Sequence, residues 1–188
     1  MRTDDIFATL ARRSAALAVP EEGDFMREGL LHCGKCGKPK QCRVPLRGEN
    51  QKPEVVGCCC DCTNQEYLRG EEEREREEKR LRIEALRADG IRDKSLTACR
   101  FDASEMTEAL LKCRRYAEHW KEMHEQNSGL LLWGNTGTGK TYAAACIANY
   151  LIDCGTPAMI TSFPRILNAG WDKQEIIDQM HYYPLVVI

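Results

Sequence analysis

Two short stretches carry residue types whose spacing can do chemistry. In "GNTGTGKT", Gly134, Gly139, Lys140 and Thr141 stand at the spacing G-x-x-x-x-G-K-[ST]. Glycines let the backbone curl so that successive N–H groups, here those of Asn135, Thr136, Gly137 and Thr138, point inward at phosphate oxygens. The N-terminus of a following helix adds positive dipole character. In such a turn Lys140 reaches the β- and γ-phosphates, the Thr141 hydroxyl ligates Mg²⁺, and Tyr142 completes the candidate ATP-binding set of residues 134–142. A chance match in a turn is the competing reading. The apolar run before the turn and the alanine-rich apolar run after it argue against chance.

The second stretch is a pair of cysteine clusters, "CGKCGKPKQC" and "VVGCCCDC". Cys33 and Cys36 form C-x-x-C with Gly34 and Gly37, the tight knuckle that lets two thiolates converge on one ion. "KQCRVPL" and "KPEVVG" can pair as a hairpin around "RGEN", which returns Cys58, Cys59, Cys60 and Cys62 to the knuckle. Zn²⁺ takes four ligands in a tetrahedron and suits sulfur donors. Which two cysteines of the second cluster complete the site is open: Cys58 with Cys60 is one choice, and Cys59 with Cys62 makes a second C-x-x-C. Cys42 falls on the hairpin and is not counted as a ligand. Unrelated free thiols or an Fe–S cluster are the alternatives, and nothing in the sequence suggests redox chemistry. A site closed by four protein ligands is structural. A module this small buries too little core to fold without its metal.

The whole chain has 188 residues, 27 Lys+Arg against 29 Asp+Glu, and a formal net charge of -2. That balance argues against a chain-wide nucleic-acid surface. The N-terminus has no long apolar region and does not read as a signal peptide, and no stretch approaches a membrane-spanning length. The 11 Cys are clustered rather than spread as in a secreted disulfide scaffold, which favours metal binding in a reducing cytoplasm.

Elements that must position these groups follow from the pattern. Residues 1–30 read as short helices broken at Pro20 and Gly23, residues 31–62 as the zinc module, and residues 63–94 as a charged helical linker. In that linker Glu72–Arg76, Glu75–Lys79 and Glu78–Arg82 are i,i+4 pairs, and residues 69–80 hold no large apolar side chain. Leu81, Ile83 and Leu86 are open to a partner. Residues 95–188 change to an α/β rhythm. A helix over 104–125 carries Met106, Leu110, Cys113, Ala117 and Trp120 at helical spacing, with Ser104 as N-cap. Strands are expected at 129–133, 157–162 and 185–188, with helices at 139–153 and 163–181. Apolar strands alternating with helices predict an α/β fold with a parallel sheet covered on both faces. Cys99, Cys113, Cys146, Cys154, Trp120 and Trp133 read as core, and the spacing of His119 and His124 disfavours a metal pair.

The stretch "NSGLLLWGNTGTGKTYAAACIANYLIDCGTPAMITSFPRILN" resembles the ATPase core of DnaC-type helicase loaders, especially those of phages and prophages of Gram-positive bacteria. "KSLTACRFDAS" and "ALLKCRRYAEHW" are similar to the segment before that core, and the cysteine module and charged helix to the phage-type N-terminal half. The likeness runs from about Cys33 to Ile188. It implies an incomplete P-loop NTPase (AAA+) core, an ATP-dependent protein that binds the hexameric replicative helicase, helps place it on single-stranded DNA and self-associates through its core. It implies that Cys58 and Cys60 complete the zinc site with Cys33 and Cys36, that Phe101 lies near the adenine, and that Arg165 and Lys173 face DNA. It also implies that the third strand is followed by the paired Walker B acids. These would lie past Ile188, in roughly 100 further residues, so no catalytic residue is assigned and hydrolysis is expected to be deficient. A transposition helper ATPase and a non-enzymatic zinc adaptor are the alternative readings.

Overall fold

A computed structural model describes residues 19–45, 53–103 and 105–188, and for Trp171 the backbone alone. Residues 1–18 of the expected helical segment 1–30, the turn "RGEN" and the Ser104 cap lie outside the described residues; the rest of that segment, residues 19–30, holds no helix, and Phe25–Arg27 is a strand instead. The chain forms two compact units, Met1–Arg76 and Glu77–Ile188. Among the described residues no helix is long and apolar enough to cross a membrane.

The first unit is built from two antiparallel hairpins. Strand β1 (Phe25–Arg27) pairs with β2 (Leu30–His32) through the two-residue turn Glu28-Gly29. Both turn residues have positive φ, 54° and 74°, which matches the twist of a two-residue hairpin; the glycine takes this conformation freely and the glutamate seldom does. Strand β3 (Gln41–Val44) pairs with β4 (Glu54–Gly57), setting Cys42 opposite Val56. This is the hairpin expected from "KQCRVPL" and "KPEVVG". The Lys40 N–H donates to the Leu31 carbonyl at 2.7 Å and joins the two hairpins.

The helix Asp61–Gly90 is continuous over 30 residues. Its middle is exposed and carries ion pairs such as Arg76–Glu72 and Arg80–Glu84, which contribute little in water. Its last turns differ. Ile83 and Leu86 pack on the apolar cluster of Ile91, Ala148, Ile152 and Ala158, so they complete this chain's own core instead of facing a partner.

In the second unit the helix Lys140–Asp153 is the centre. Ala145, Cys146, Ile147, Ala148, Leu151 and Ile152 are all buried on it. The helix Glu108–Glu118 packs Leu110, Cys113 and Ala117 against one side, together with Cys99 and Phe101. Thr107 caps that helix, its hydroxyl accepting from the Leu110 N–H at 3.2 Å. The predicted helix over 104–125 breaks at His119, and a separate short helix runs Trp120–Glu125. The predicted helix over 163–181 likewise divides into Phe163–Asn168 and Lys173–Met180. Gly170 between them has φ 60°, outside helical geometry.

The expected parallel sheet of a P-loop NTPase core is not formed. The described residues contain three separate two-stranded sheets, and the single parallel pair is β5 (Ala158–Ile160) with β6 (Leu185–Val187). Residues 129–133, expected as a short buried strand, have no strand partner. A cavity of about 520 Å³ separates Gly129–Leu132 from Leu185–Ile188. The apolar run therefore has no neighbouring backbone to pair with, and Leu131 and Trp133 are 85% and 87% exposed. Trp133 is thus not a core residue, and neither is Cys154, which caps the end of the central helix in an exposed position.

Gly90 marks the tightest approach in this unit. A Cβ there would lie 1.9 Å from the Ala158 carbonyl oxygen. Gly90→Ala is expected to lower stability by about 1–3 kcal/mol through overpacking. Urea unfolding checks this: helix propensity alone favours alanine, so a midpoint that rises would show that the close approach is not constraining.

Candidate functional site

The cysteine module is assembled by three local structures. The knuckle is closed by backbone bonds between Cys33 and its turn: the Cys33 N–H donates to Lys38 O, and the Gly37 N–H to Cys33 O, both at 2.8 Å. Gly37 has φ 69°, and Gly34 lies so close to Gly23 that a Cβ would stand 2.2 Å from the Gly23 carbonyl oxygen. Strands β3 and β4 then return the chain. Cys60 follows at the start of the helix Asp61–Gly90, where its carbonyl accepts from the Asn64 N–H at 2.9 Å. Cys62 sits in the first turn of that helix.

The sulfurs brought together are those of Cys33, Cys36, Cys60 and Cys62, all within 4.8 Å of one another. Tetrahedral coordination at about 2.3 Å per Zn–S bond places sulfurs about 3.8 Å apart, so the group needs only slight contraction around an ion. Cys33 and Cys60 are each 2% exposed. The arrangement can hold a metal such as zinc. Cys58, placed in the site by the family resemblance, stands outside the group. Its N–H extends the β3–β4 ladder to the Lys40 carbonyl at 2.8 Å, and its thiol donates to the Pro39 carbonyl at 3.4 Å. Cys62 takes the position instead, because the helix start turns residues 60 and 62 toward the knuckle while the strand end holds residue 58 on the hairpin.

The surroundings favour the ionised form at Cys36 and Cys60 and oppose it at Cys62. The Lys38 N–H holds the Cys36 thiol down at about 6, with the Cys62 N–H and other sulfur hydrogen bonds adding to it. The Thr63 hydroxyl and N–H lower Cys60, as expected for a thiolate at a helix N-terminus. Sharing a hydrogen with Cys36, together with burial and neighbouring sulfur charge, pushes Cys62 up to about 12. Four thiolates this close repel, and a divalent cation is what allows all four to ionise.

A buried ion pair ties the preceding chain to the knuckle. Lys40, 8% exposed, donates to Asp24 Oδ2 at 2.8 Å, and Asp24 Oδ1 accepts from the Gly34 N–H at 3.0 Å. Lys40, with the Glu21 and Gly34 N–H groups, holds the Asp24 carboxyl at about 2. Residues 24 and 40 are far apart in sequence and carry no motif, so only the folded chain reveals the pair.

The glycine turn has the backbone its composition suggests. Gly134, Gly137 and Gly139 have φ of 142°, 81° and 77°. Lys140 Nζ donates to Gly134 O at 3.0 Å and Asn135 O at 2.6 Å, and the Thr138 hydroxyl donates to Asn135 O at 2.9 Å. The ammonium thus bridges both arms of the turn. Among the described residues no backbone carbonyl accepts from the Gly137 or Gly139 N–H. Asn135, Thr136 and Thr141 are exposed. Tyr142 points elsewhere: its hydroxyl donates to the Arg100 carbonyl at 2.7 Å and its ring packs on the core. Phe101 is buried against Tyr150 in that core, 5% exposed. Lys140 and Thr141 also line the cavity beside residues 129–132, and none of the described residues lining it is an Asp or Glu.

No protein-family model, no curated protein and no solved structure matches the chain.

The two candidate ligand sets separate by substitution. Cys62→Ser is expected to abolish the visible absorption of tetrahedral thiolate-bound Co²⁺, and Cys58→Ser to leave it intact. The reverse result would return Cys58 to the site.

Proposed function

We propose that this chain is a zinc-containing, ATP-binding DNA replication protein that recruits or loads the replicative helicase on single-stranded DNA. What carries the nucleotide reading is the turn at residues 134–141, with three glycines at positive φ and the Lys140 ammonium folded across it. Phosphate oxygens would replace the Gly134 and Asn135 carbonyls as partners of Lys140, and the free Gly137 and Gly139 N–H groups would add donors. Thr141 would hold Mg²⁺, which neutralises phosphate charge when bound. The four-sulfur cluster would hold zinc as a structural ion. Tetrahedral sulfur donors suit it, and such a closed site leaves no open coordination position. The helicase and DNA as partners rest on the likeness of the motif order to the loader family.

Hydrolysis asks for more than the turn supplies. It needs a charged anchor for Mg²⁺ and a group that positions the attacking water, and no Asp or Glu side chain lines the cavity beside Lys140 and Thr141 among the described residues. Lack of such groups costs on the order of a hundredfold or more in rate.

Purified protein is therefore expected to carry about one zinc per chain, read by metal analysis. A fluorescent ATP analogue should bind, with Lys140→Ala abolishing binding and phosphate release by the unmutated 188-residue chain staying near background. Robust Lys140-dependent turnover would mean that a carboxylate elsewhere, such as Asp172 or Asp178, reaches the site.

Partner choice belongs to the cysteine-containing half, since the glycine turn is common to many ATPases. In a pull-down with a phage or host replicative helicase, deletion of residues 1–62 should remove binding. Undiminished capture by residues 63–188 would assign the contact to the other half.

A further inference from the structure

Cys42 and Cys58 form a second thiol group beside the metal cluster, with no part in it. The β3–β4 register sets Cys42 opposite Val56, and the ladder continues past Gly57 through the Cys58 N–H to the Lys40 carbonyl. Cys58 is therefore two positions beyond the partner of Cys42, and alternation along a strand puts both on the same face. After burial, the neighbouring Cys42 sulfur is the next largest influence that raises the Cys58 thiol. Both residues are half-buried, as are Cys36 and Cys62, while Cys33 and Cys60 of the cluster are sealed; bound metal would be what shields the half-buried cluster thiols. The chain leaves the ladder directly after Cys58 to deliver Cys60 and Cys62.

The geometry points to Cys42 and Cys58 as a redox dithiol that closes to a disulfide by exchange with a small disulfide, leaving the four-sulfur cluster intact. One thiolate attacks a sulfur of oxidised glutathione, forms a mixed disulfide and releases one glutathione thiolate. The second cysteine attacks the protein sulfur of that mixed disulfide and releases the other. One S–S bond breaks and one forms. Two electrons pass from the cysteines to glutathione, and the two cysteine protons end on the two glutathione thiols. Diagonal neighbours in a ladder stand slightly farther apart than bridged cysteines, at about 7–8 Å against up to about 6.8 Å between Cα atoms. Closure thus draws the ladder end inward, where Cys58 is its last member, and a dithiol reopens the bridge. The bond would pin the segment carrying Cys60 and Cys62 to the strand that holds the other half of the module.

The test uses the full chain loaded with zinc and exposed to oxidised glutathione. Free thiols are then alkylated, peptides are mapped by mass, and zinc is measured in parallel. The expected product is a Cys42–Cys58 bridge lighter by two hydrogens, reversed by dithiothreitol, with zinc retained. Cys58→Ser should leave a glutathione adduct on Cys42, and Cys42→Ser should leave one on Cys58, so either variant tests the pair if the other fails to fold. Three outcomes overturn the assignment: bridging of Cys58 to Cys59, oxidation of the cluster with zinc release while Cys42 and Cys58 stay alkylatable, or no oxidation of either residue. A bridge that forms in a chain carrying no metal upholds the dithiol and removes the zinc reading.

Discussion

An apolar helix has to be covered wherever it would otherwise meet water, and the second unit is arranged around that constraint. The helix Lys140–Asp153 buries seven residues, distributed around its circumference. One side is covered by Leu110, Cys113 and Ala117, the other by Ile91 and Ala158. The one polar residue among the seven, Asn149, is satisfied: its amide donates to Leu96 O and Ala145 O, and its oxygen accepts from Arg87. An unpaired amide at that depth would be costly. Gly139 caps the start of this helix, so the packing that fixes its axis also fixes where Lys140 and the glycine turn stand.

The first unit meets a different constraint. Its hairpin strands are three or four residues long, and Leu31 is the only large aliphatic side chain among its buried described residues. Burial of that extent cannot offset the entropy of ordering the chain. A metal held by the four converging sulfurs would supply what apolar area does not, and the Asp24–Lys40 pair and the Gly34–Gly23 contact hold the knuckle in the shape the sulfurs need. A closed set of four sulfur donors leaves a bound ion no open position, so a metal held there would act as a scaffold.

The helix Asp61–Gly90 changes character along its length. Its N-terminal turn carries Cys60 and Cys62, its middle is charged and solvated, and its last turns bury Ile83 and Leu86. Glutamates and arginines from 71 to 80 give it no face to bury, so its continuity rests on helix propensity and on its anchored ends. The segment 129–133 is the opposite case. It is apolar but unpaired, bordered by a cavity rather than by a strand, so the glycine turn is approached through exposed chain.

Local chemistry was legible without coordinates. The glycine spacing foretold a tightly curled turn, and Gly137 and Gly139 take the left-handed backbone that only glycine adopts cheaply. The C-x-x-C knuckle and its return by a hairpin followed from turn residues flanking apolar runs, and the apolar period around Leu110, Cys113 and Ala117 named a buried face. Choices among equivalent residues were decided by tertiary structure. Cys58 and Cys62 are chemically alike, and which one enters the cluster depends on where a strand ends and a helix begins. "GLLLW" has the composition of a buried strand, yet composition reports a preference for burial and says nothing about whether a neighbouring backbone is within reach. A strand exists only as part of a pair, and that second half of the interaction is not written in its own residues.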